Sequence, residues 1–466
     1  MRKLYSDVII IGGGISGLST AYFLHDSRKD LKITLIEGSD RFGGKIRTES
    51  LGELIGEAGP DTFVMGYPVM NTLLEKTGLE KEIIKPLPNK AYIWTRGGLH
   101  PIPEGLVMGF PSTKVGPLIN SRILSFSELM RCSMDIFLPK TKIDGDIGIG
   151  ELAEKRFGRG LKESIVDPLI GGIMACSSDR LSTKEVMPAL FKAAQENRSL
   201  ILAMRNSAKN NKAKRAGSAS FMNGMSYMTD KIVEKLEGVE IIKGENATSL
   251  AIRDGMFKLG TEKSEIEGKS VVLAVPAFSS AKILESNFPE LSAKLSGITY
   301  TSVAIVILAY RKEDFNPPFR SSGFLVSPKE GKLMTASTWL TMKWEYAKSD
   351  DYFLVRCFIG TPEDARWEDM TDEELVGKTN LELSEVVHIS GSPVKTKVIR
   401  WFNALPQYKV GHSDIVKEVE SKLPMGLYLT GAAYHGVGIP ACVTDAFNVA
   451  KKINEKFQEK DSNQKK

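Results

Sequence analysis

The stretch Asp7-Val8-Ile9-Ile10-Ile11-Gly12-Gly13-Gly14-Ile15-Ser16-Gly17-Leu18 constrains this chain more than any other. A β-branched run feeds directly into Gly-x-Gly-x-x-Gly, and residues 19–24, carrying the small Ala21, read as the helix that follows. A second strand, 32–36, ends on Glu37. Gly12 permits the tight turn, Gly14 lets a pyrophosphate approach bare backbone, and Gly17 lets the helix pack closely on the strand. The helix N-terminus, with Gly13, Ile15 and Ser16, offers unpaired N–H groups and a positive dipole end to phosphates. Glu37, about 20 residues past the last glycine, stands where a dinucleotide fold places an acid on the ribose hydroxyls. A glycine-rich turn alone would be weak evidence. Here a strand precedes it, a helix follows it, and a second strand carries the acid.

Further glycine-rich segments extend the pattern. After Glu37-Gly38 come Asp40-Arg41-Phe42-Gly43-Gly44-Lys45 and then Glu57-Ala58-Gly59-Pro60-Asp61-Thr62. An Arg beside a Gly doublet supplies a cation and bare backbone for a diphosphate. Gly59-Pro60 supplies a rigid turn that could hold backbone against a flat ring. Near the other end, residues 426–431 read as a strand closing on Gly431, and Gly436-Val437-Gly438-Ile439-Pro440 opens a helix to about residue 457. Pro440 suits a first helical position. The N–H groups before it would favour the anionic edge of a reduced ring.

Between these segments the chain changes character. Residues 69–79 read as a helix stopped by Gly78, and 91–94 with 99–102 as a hairpin around Arg96-Gly97-Gly98. From 121 to 205 the spacing is helical: 126–137, a stripe of Leu152, Phe157, Leu161 and Ile165 stopped near Asp167-Pro168, and 188–204. Within 169–175, Gly171 and Gly172 allow close approach by another element or by a flat ligand. Residues 207–218 read as a polar loop. A helix at 225–236 and strands at 239–242, 247–253, 256–260 and 270–276 follow, the last a buried run ending in proline. Strands at 302–310, 323–326, 334–339, 352–358 and 395–402, with a helix at 371–387, make an α+β unit whose sheet could floor a substrate site.

Bulk properties exclude other classes. At 466 residues, 42% hydrophobic and 26% charged, the chain is an ordinary globular protein of two or three domains. No run approaches the ~18 apolar residues of a membrane span, and Val8 to Ile11 is too short for a signal peptide. Cys132, Cys176, Cys357 and Cys442 have no metal spacing and fit a reducing compartment, so no metal and a cytoplasmic location are expected. The net charge of +5 gathers partly in 205–215 and in the final residues. These runs read as a solvated loop and a frayed terminus, or as attraction to an anionic membrane surface. No nucleic-acid partner is expected.

The succession from Glu37 to Thr62 resembles the flavin-containing amine oxidase, phytoene desaturase and protoporphyrinogen oxidase superfamily. Nearly end to end, the chain resembles the coproporphyrinogen III / protoporphyrinogen oxidases of Gram-positive haem synthesis. The carriers are residues 11–18, Gly43-Gly44-Lys45, Gly59-Pro60-Asp61, Val107-Met108-Gly109-Phe110-Pro111, Arg156-Phe157-Gly158, Gly172-Ile173, Arg198-Ser199-Leu200-Ile201, 401–412 and 436–440.

The resemblance implies a mixed α/β and α+β fold: a discontinuous Rossmann-type FAD-binding domain (1–85, 221–295, 401–466), a helical substrate lobe (86–220) and a substrate sheet (296–400). It implies FAD contacts at Gly12, Gly13, Gly14, Ile15, Ser16, Gly17, Glu37, Gly38, Arg41, Gly44, Lys45, Gly59, Pro60, Asp61, Thr62, Ala247, Trp401, Gly431, Val437, Gly438 and Ile439. Ile173 and Met174 are expected in the substrate wall. Met174 and Cys176 depart from the Tyr and Gly of relatives, and residues 64–68 lack the basic residue that relatives often carry.

The implied reaction removes six electrons and six protons from a porphyrinogen in three hydride transfers to flavin, which O2 reoxidises to give H2O2. The product would pass to the next haem-pathway enzyme. FAD carries the redox chemistry, so no catalytic dyad is expected. His25, His100, His388 and His412 read as structural, and His435 stands beside the flavin helix. The alternatives are an amine or polyene oxidase of the same superfamily, and a flavin-free binding protein such as the Rab GDP-dissociation inhibitors. Glu37, Gly43-Gly44 and 436–439 argue against the flavin-free protein.

Overall fold

Strand Arg2–Ile11 runs through the middle of a seven-stranded sheet. Val8, Ile9, Ile10 and Ile11 are all buried, as a central parallel strand covered on both faces requires. The structure, a computed structural model, describes residues 2–88, 90–112, 116–210 and 217–464, with the side chains of 173, 207–210 and 460–464 outside that description. On one side of the central strand lie Ile33–Glu37 and then Glu240–Lys243, both parallel. On the other lies Ser264–Leu273, whose last residues also pair in parallel with Leu427–Leu429. Met256–Thr261 and Ala247–Arg253 continue that edge antiparallel.

The sheet therefore draws strands from distant parts of the chain, and the unit is discontinuous. Its parallel strands all end at one edge, so Ile11, Glu37, Leu273 and Leu429 deliver their following turns to one place. In open α/β sheets that edge is where ligands bind. Helices Ile15–Ser27 and Ile439–Gln464 share one core over this sheet through Leu18, Ala21, Val443 and Ile453.

A second sheet runs in the order Lys395–Pro406, Tyr300–Arg311, Tyr352–Ile359, Met334–Trp339, Ser321–Val326, Lys90–Thr95, Gly98–Pro101. One face buries Trp94, Trp339 and Trp367 with Leu375 and Leu383 of helix Asp372–Ser384. The other face sets Ile305, Ile307 and Trp344 against Leu51, Leu54 and Ala58 of the nucleotide-binding unit. The expected hairpin at Lys90–Thr95 and Gly98–Pro101 forms, as does the helix Pro68–Thr77 with Gly78 left-handed at its end.

Helices Phe126–Ser133, Ile149–Phe157, Asp167–Met174, Pro188–Glu196 and Leu200–Asn210 build a third core. Its polar pin is a buried pair: Arg156 Nε donates to Asp135 Oδ1 at 2.6 Å, and Asp135 Oδ2 accepts from Ser199 Oγ at 2.6 Å and the Ile201 amide at 3.0 Å.

This lobe corrects three expectations. Asp167-Pro168 does not stop a helix. The chain passes through the π-turn Lys162–Val166 into Asp167–Met174, with the proline in the first turn of that helix, where its missing N–H costs little. Residues 188–204 are not one helix. Asn197 is extended, and the buried Asp135 carboxylate draws Ser199 into its own hydrogen bond. The expected loop at 207–218 begins later, because helix Leu200–Asn210 runs into it; residues 211–216 lie outside the description. Among the described residues no helix is long and apolar enough to cross a membrane.

Candidate functional site

At the carboxyl edge of the parallel sheet the first turn forms an open cradle. Gly12 has φ 108°, which an L side chain rarely adopts, and its amide donates to Ile36 O at 2.7 Å. A Cβ on Gly17 would run into the Gly12 carbonyl oxygen, so the helix seats on the turn only without one. Gly14 caps helix Ile15–Ser27 with no side-chain hydrogen bond, so the first-turn N–H groups are free for an anion. Glu37 Oε2 accepts from the Gly13 amide at 2.7 Å, and Oε1 from the Ser39 amide and hydroxyl at 2.8 and 2.7 Å. The carboxylate is thereby fixed, with lone pairs left for hydroxyl donors.

The next segments close around this cradle. Gly43 bridges to Gly14, and its amide donates to Gly13 O at 2.9 Å. Arg41 donates to Gly44 O at 2.5 Å and Phe42 O at 3.2 Å, so its guanidinium props the Gly43-Gly44 turn. Lys45 has no hydrogen bond or ion pair among the described residues, and burial pulls its pKa down. The Glu245 amide donates to Glu37 O at 3.2 Å, which brings Ala247 beside Glu37-Gly38. Uncapped amides, bare glycine backbone and an unpartnered cation fit an anionic dinucleotide.

Residues 57–62 are held by the second sheet. Trp401 Nε1 donates to Ala58 O at 2.6 Å, and Arg356 donates to Gly59 O at 2.7 Å and Glu57 O at 3.1 Å. Asp61 Oδ2 accepts from Lys343 Nζ at 2.7 Å and Trp344 Nε1 at 2.9 Å, and Arg356 lies 3.1 Å from Oδ1. Burial works to raise its pKa, but Lys343 and Arg356 outweigh it and hold the carboxyl well below the usual range. Thr62 Oγ1 donates to Ala219 O at 3.0 Å. Asp61 and Thr62 thus spend their side chains on the protein, and what this turn offers a flat ligand is backbone.

The loop before the last helix is the third part. Asp445 Oδ2 accepts from Thr430 Oγ1 at 2.7 Å and the Gly431 amide at 3.2 Å. The Gly436 amide donates to the Tyr408 hydroxyl at 2.6 Å. Val437 packs against the helical-lobe core that contains Met174 and Cys176, so the 436–440 loop lies against the lobe expected to carry the substrate wall. Met174 is 6% exposed, and its carbonyl accepts from Gln407 Nε2 at 3.3 Å. The Ile173 side chain lies outside the description. Gly172 packs on Leu325, whose Cδ2 a Cβ would approach to 2.5 Å, so strand packing accounts for that glycine. His435 Nε2 lies 2.8 Å from Glu420 Oε1, and that bond raises its pKa.

Sequence reasoning missed Arg356, Lys343, Tyr408 and Asp445. Arg356 bonds a carbonyl 297 positions away, and no local pattern marks such a partner. Tyr408 lay inside a motif already singled out, without a role.

A family model described as flavin-containing amine oxidoreductase matches residues 15–454. A coproporphyrinogen III oxidase of Bacillus subtilis is 33% identical over 450 residues, 94% of this chain and 95% of its own. One from Staphylococcus aureus is 28% identical, covering 96% of this chain and 98% of its own. A crystal structure from an Exiguobacterium species, provisionally assigned as a protoporphyrinogen oxidase, matches with a TM-score of 0.86 at 28% identity, over 98% of this chain and 99% of that one.

Proposed function

The chain belongs to the flavin-containing amine oxidoreductase family, and we propose that it is an FAD-dependent oxidase converting coproporphyrinogen III to coproporphyrin III in haem biosynthesis. The observation that carries this reading is the meeting of Val437, on the flavin loop, with the core that holds Met174. A substrate between them would lie against the cofactor, with the helical lobe as its wall.

Bound FAD supplies the hydride acceptor and the route of electrons to O2. The protein's part is to hold and orient. The first-turn amides at Ile15, Ser16 and Gly17, with Lys45, would take the diphosphate, and Glu37 the ribose. The backbone of 59–62, braced by Trp401 and Arg356, would lie along the ring. The amides of Val437, Gly438 and Ile439 would meet the ring's electron-rich edge at the positive end of helix Ile439–Gln464. Overall, one porphyrinogen and three O2 give one porphyrin and three H2O2, which balances six electrons and six protons.

The proposal extends to O2 as acceptor, to hand-over of the product to the next haem-pathway enzyme, and to a cytoplasmic location with contact at an anionic membrane face. The exposed Phe126, Met130, Met134 and Phe137 support that last point.

The test is anaerobic mixing of the purified flavoprotein with coproporphyrinogen III and, separately, with protoporphyrinogen IX. Bleaching of the oxidised-flavin bands by coproporphyrinogen, then coproporphyrin on admitting air, is expected. Faster bleaching by protoporphyrinogen would move the assignment to a protoporphyrinogen oxidase, the reading that the Exiguobacterium likeness favours. Bleaching by neither would sink both.

A further inference from the structure

Residues 407–412 have no part in the assignments above, yet they touch both halves of the site. Toward the helical lobe, the Tyr408 carbonyl accepts from the Ser182 amide at 2.8 Å, Lys409 bridges to Leu181, and Gln407 Nε2 donates to Met174 O at 3.3 Å. Toward the flavin loop, the Tyr408 hydroxyl accepts from the Gly436 amide at 2.6 Å and donates to Ala432 O at 2.9 Å. The Tyr408 ring is buried and stacks on His412, centroids 4.1 Å apart and planes 17° apart. Burial raises the phenol's pKa, so it keeps the proton it gives to Ala432.

Several contacts shape the loop. Gly436 sits at φ 127°, a conformation that favours glycine, and a Cβ there would come within 2.7 Å of the Ala441 methyl. The loop's anchors include Asp445 at Gly431, Tyr408 at Ala432 and Gly436, the buried Tyr434 with its hydroxyl 3.5 Å from Ser280 Oγ, His435 on Glu420, and Cys442 Sγ at 3.5 Å from Gly436 O. Of these Tyr408 alone also reaches the helical lobe through its own backbone. Immediately beyond them, the amides of Val437 and Gly438 make no hydrogen bond among the described residues. They are donors left for a ligand.

We propose that Tyr408 is a positioning residue for the flavin: its hydroxyl holds residues 432–436 in the shape that presents the amides of 437–439 to the ring, and its backbone ties that shape to the helical lobe. The inference rests on the FAD reading above and goes beyond it, because it assigns a role to a residue that need not touch the cofactor.

Tyr408→Phe keeps the ring and the His412 stack and removes only the bridge, leaving the Gly436 amide and Ala432 carbonyl unpaired. The measurements are the FAD dissociation constant of the apoprotein and the midpoint potential of the bound flavin. FAD binding is expected to weaken roughly five- to a hundred-fold, the range that unpaired buried groups produce, and the potential to shift. A purely structural tyrosine would lower the apoprotein Tm and leave the potential of bound flavin where it was. An unchanged dissociation constant with an unchanged potential would overturn the proposal. Should the variant not fold, hydrogen exchange of the Gly436 amide in the FAD-free wild type decides. Protection supports the bridge, and exchange as fast as an open loop removes it. A wild type that binds no FAD would sink the functional reading and this inference with it, whereas equal binding by wild type and variant sinks this inference alone.

Discussion

Glu57 and Asp61 lie in one buried turn, and their surroundings push them in opposite directions. Asp61 faces Lys343 and Arg356 and stays ionised. Glu57 is fully buried and accepts from the Met225 amide at 2.7 Å. Burial outweighs that bond and raises its pKa to about 7. A carboxyl whose folded pKa lies above its unfolded value binds a proton preferentially in the folded state. Its favourable contribution is present below the unfolded pKa and is lost as pH rises through the folded one. Stability should therefore decline from about pH 4.5 to about pH 7 on account of Glu57, by ~3 kcal/mol in all. Glu57→Gln can still accept from Met225 but cannot ionise. We expect it to match wild type in urea denaturation at pH 5 and to exceed it at pH 8. Parallel pH profiles for the two proteins would contradict this account of the buried turn. Asp61 has no such latitude, because removing it would leave the buried Arg356 and the half-buried Lys343 without their anion, a loss on the order of 3–5 kcal/mol.

At the scale of elements, the cradle is a strand, a turn and a helix whose spacing depends on absent side chains. The helix Ile15–Ser27 reaches its seat because Gly17 can lie against the Gly12 carbonyl. Gly17→Ala forces that helix away from the turn, and with it the first-turn amides. We expect a folded protein, by circular dichroism, that is purified without flavin and does not take it up from excess FAD. A yellow Gly17→Ala protein would show that the turn tolerates the shift. This element was legible in the sequence because every interaction that shapes it is local. The break at 197–199 in the helical lobe was not. Its cause is Asp135, a buried carboxylate more than sixty residues earlier in the chain that Ser199 and Ile201 turn aside to meet.

On the scale of the whole molecule, the two sheets are joined through the 57–61 turn. The five tryptophans all lie on the side of the second sheet or, for Trp401, at its junction with that turn. Tryptophan fluorescence therefore reports mainly on the part that carries no strand of the dinucleotide cradle. Because Arg356, Lys343 and Trp401 grip the turn, FAD should stabilise that part too. At a hundredfold excess over its dissociation constant a ligand adds about 2.7 kcal/mol. The fluorescence-detected Tm should rise by several degrees with FAD, in step with the circular dichroism transition. A fluorescence Tm indifferent to FAD would mean that the two sheets unfold independently.

The sequence by itself determined the dinucleotide turn, the acid at the end of the second strand, a buried strand read at 270–276 and the glycine loop before the last helix. Each of these follows from backbone freedom, side-chain periodicity or capping within a few residues. Only the tertiary structure decided that the Asp61 carboxylate pairs with Lys343 and Arg356, that Arg41 braces a turn, and that Tyr408 bridges Gly436 while its neighbour Gln407 reaches Met174. These contacts join side chains to groups that become neighbours only once two sheets and a helical lobe have packed. Their energies come from burial and charge pairing, and no local pattern of residues specifies either.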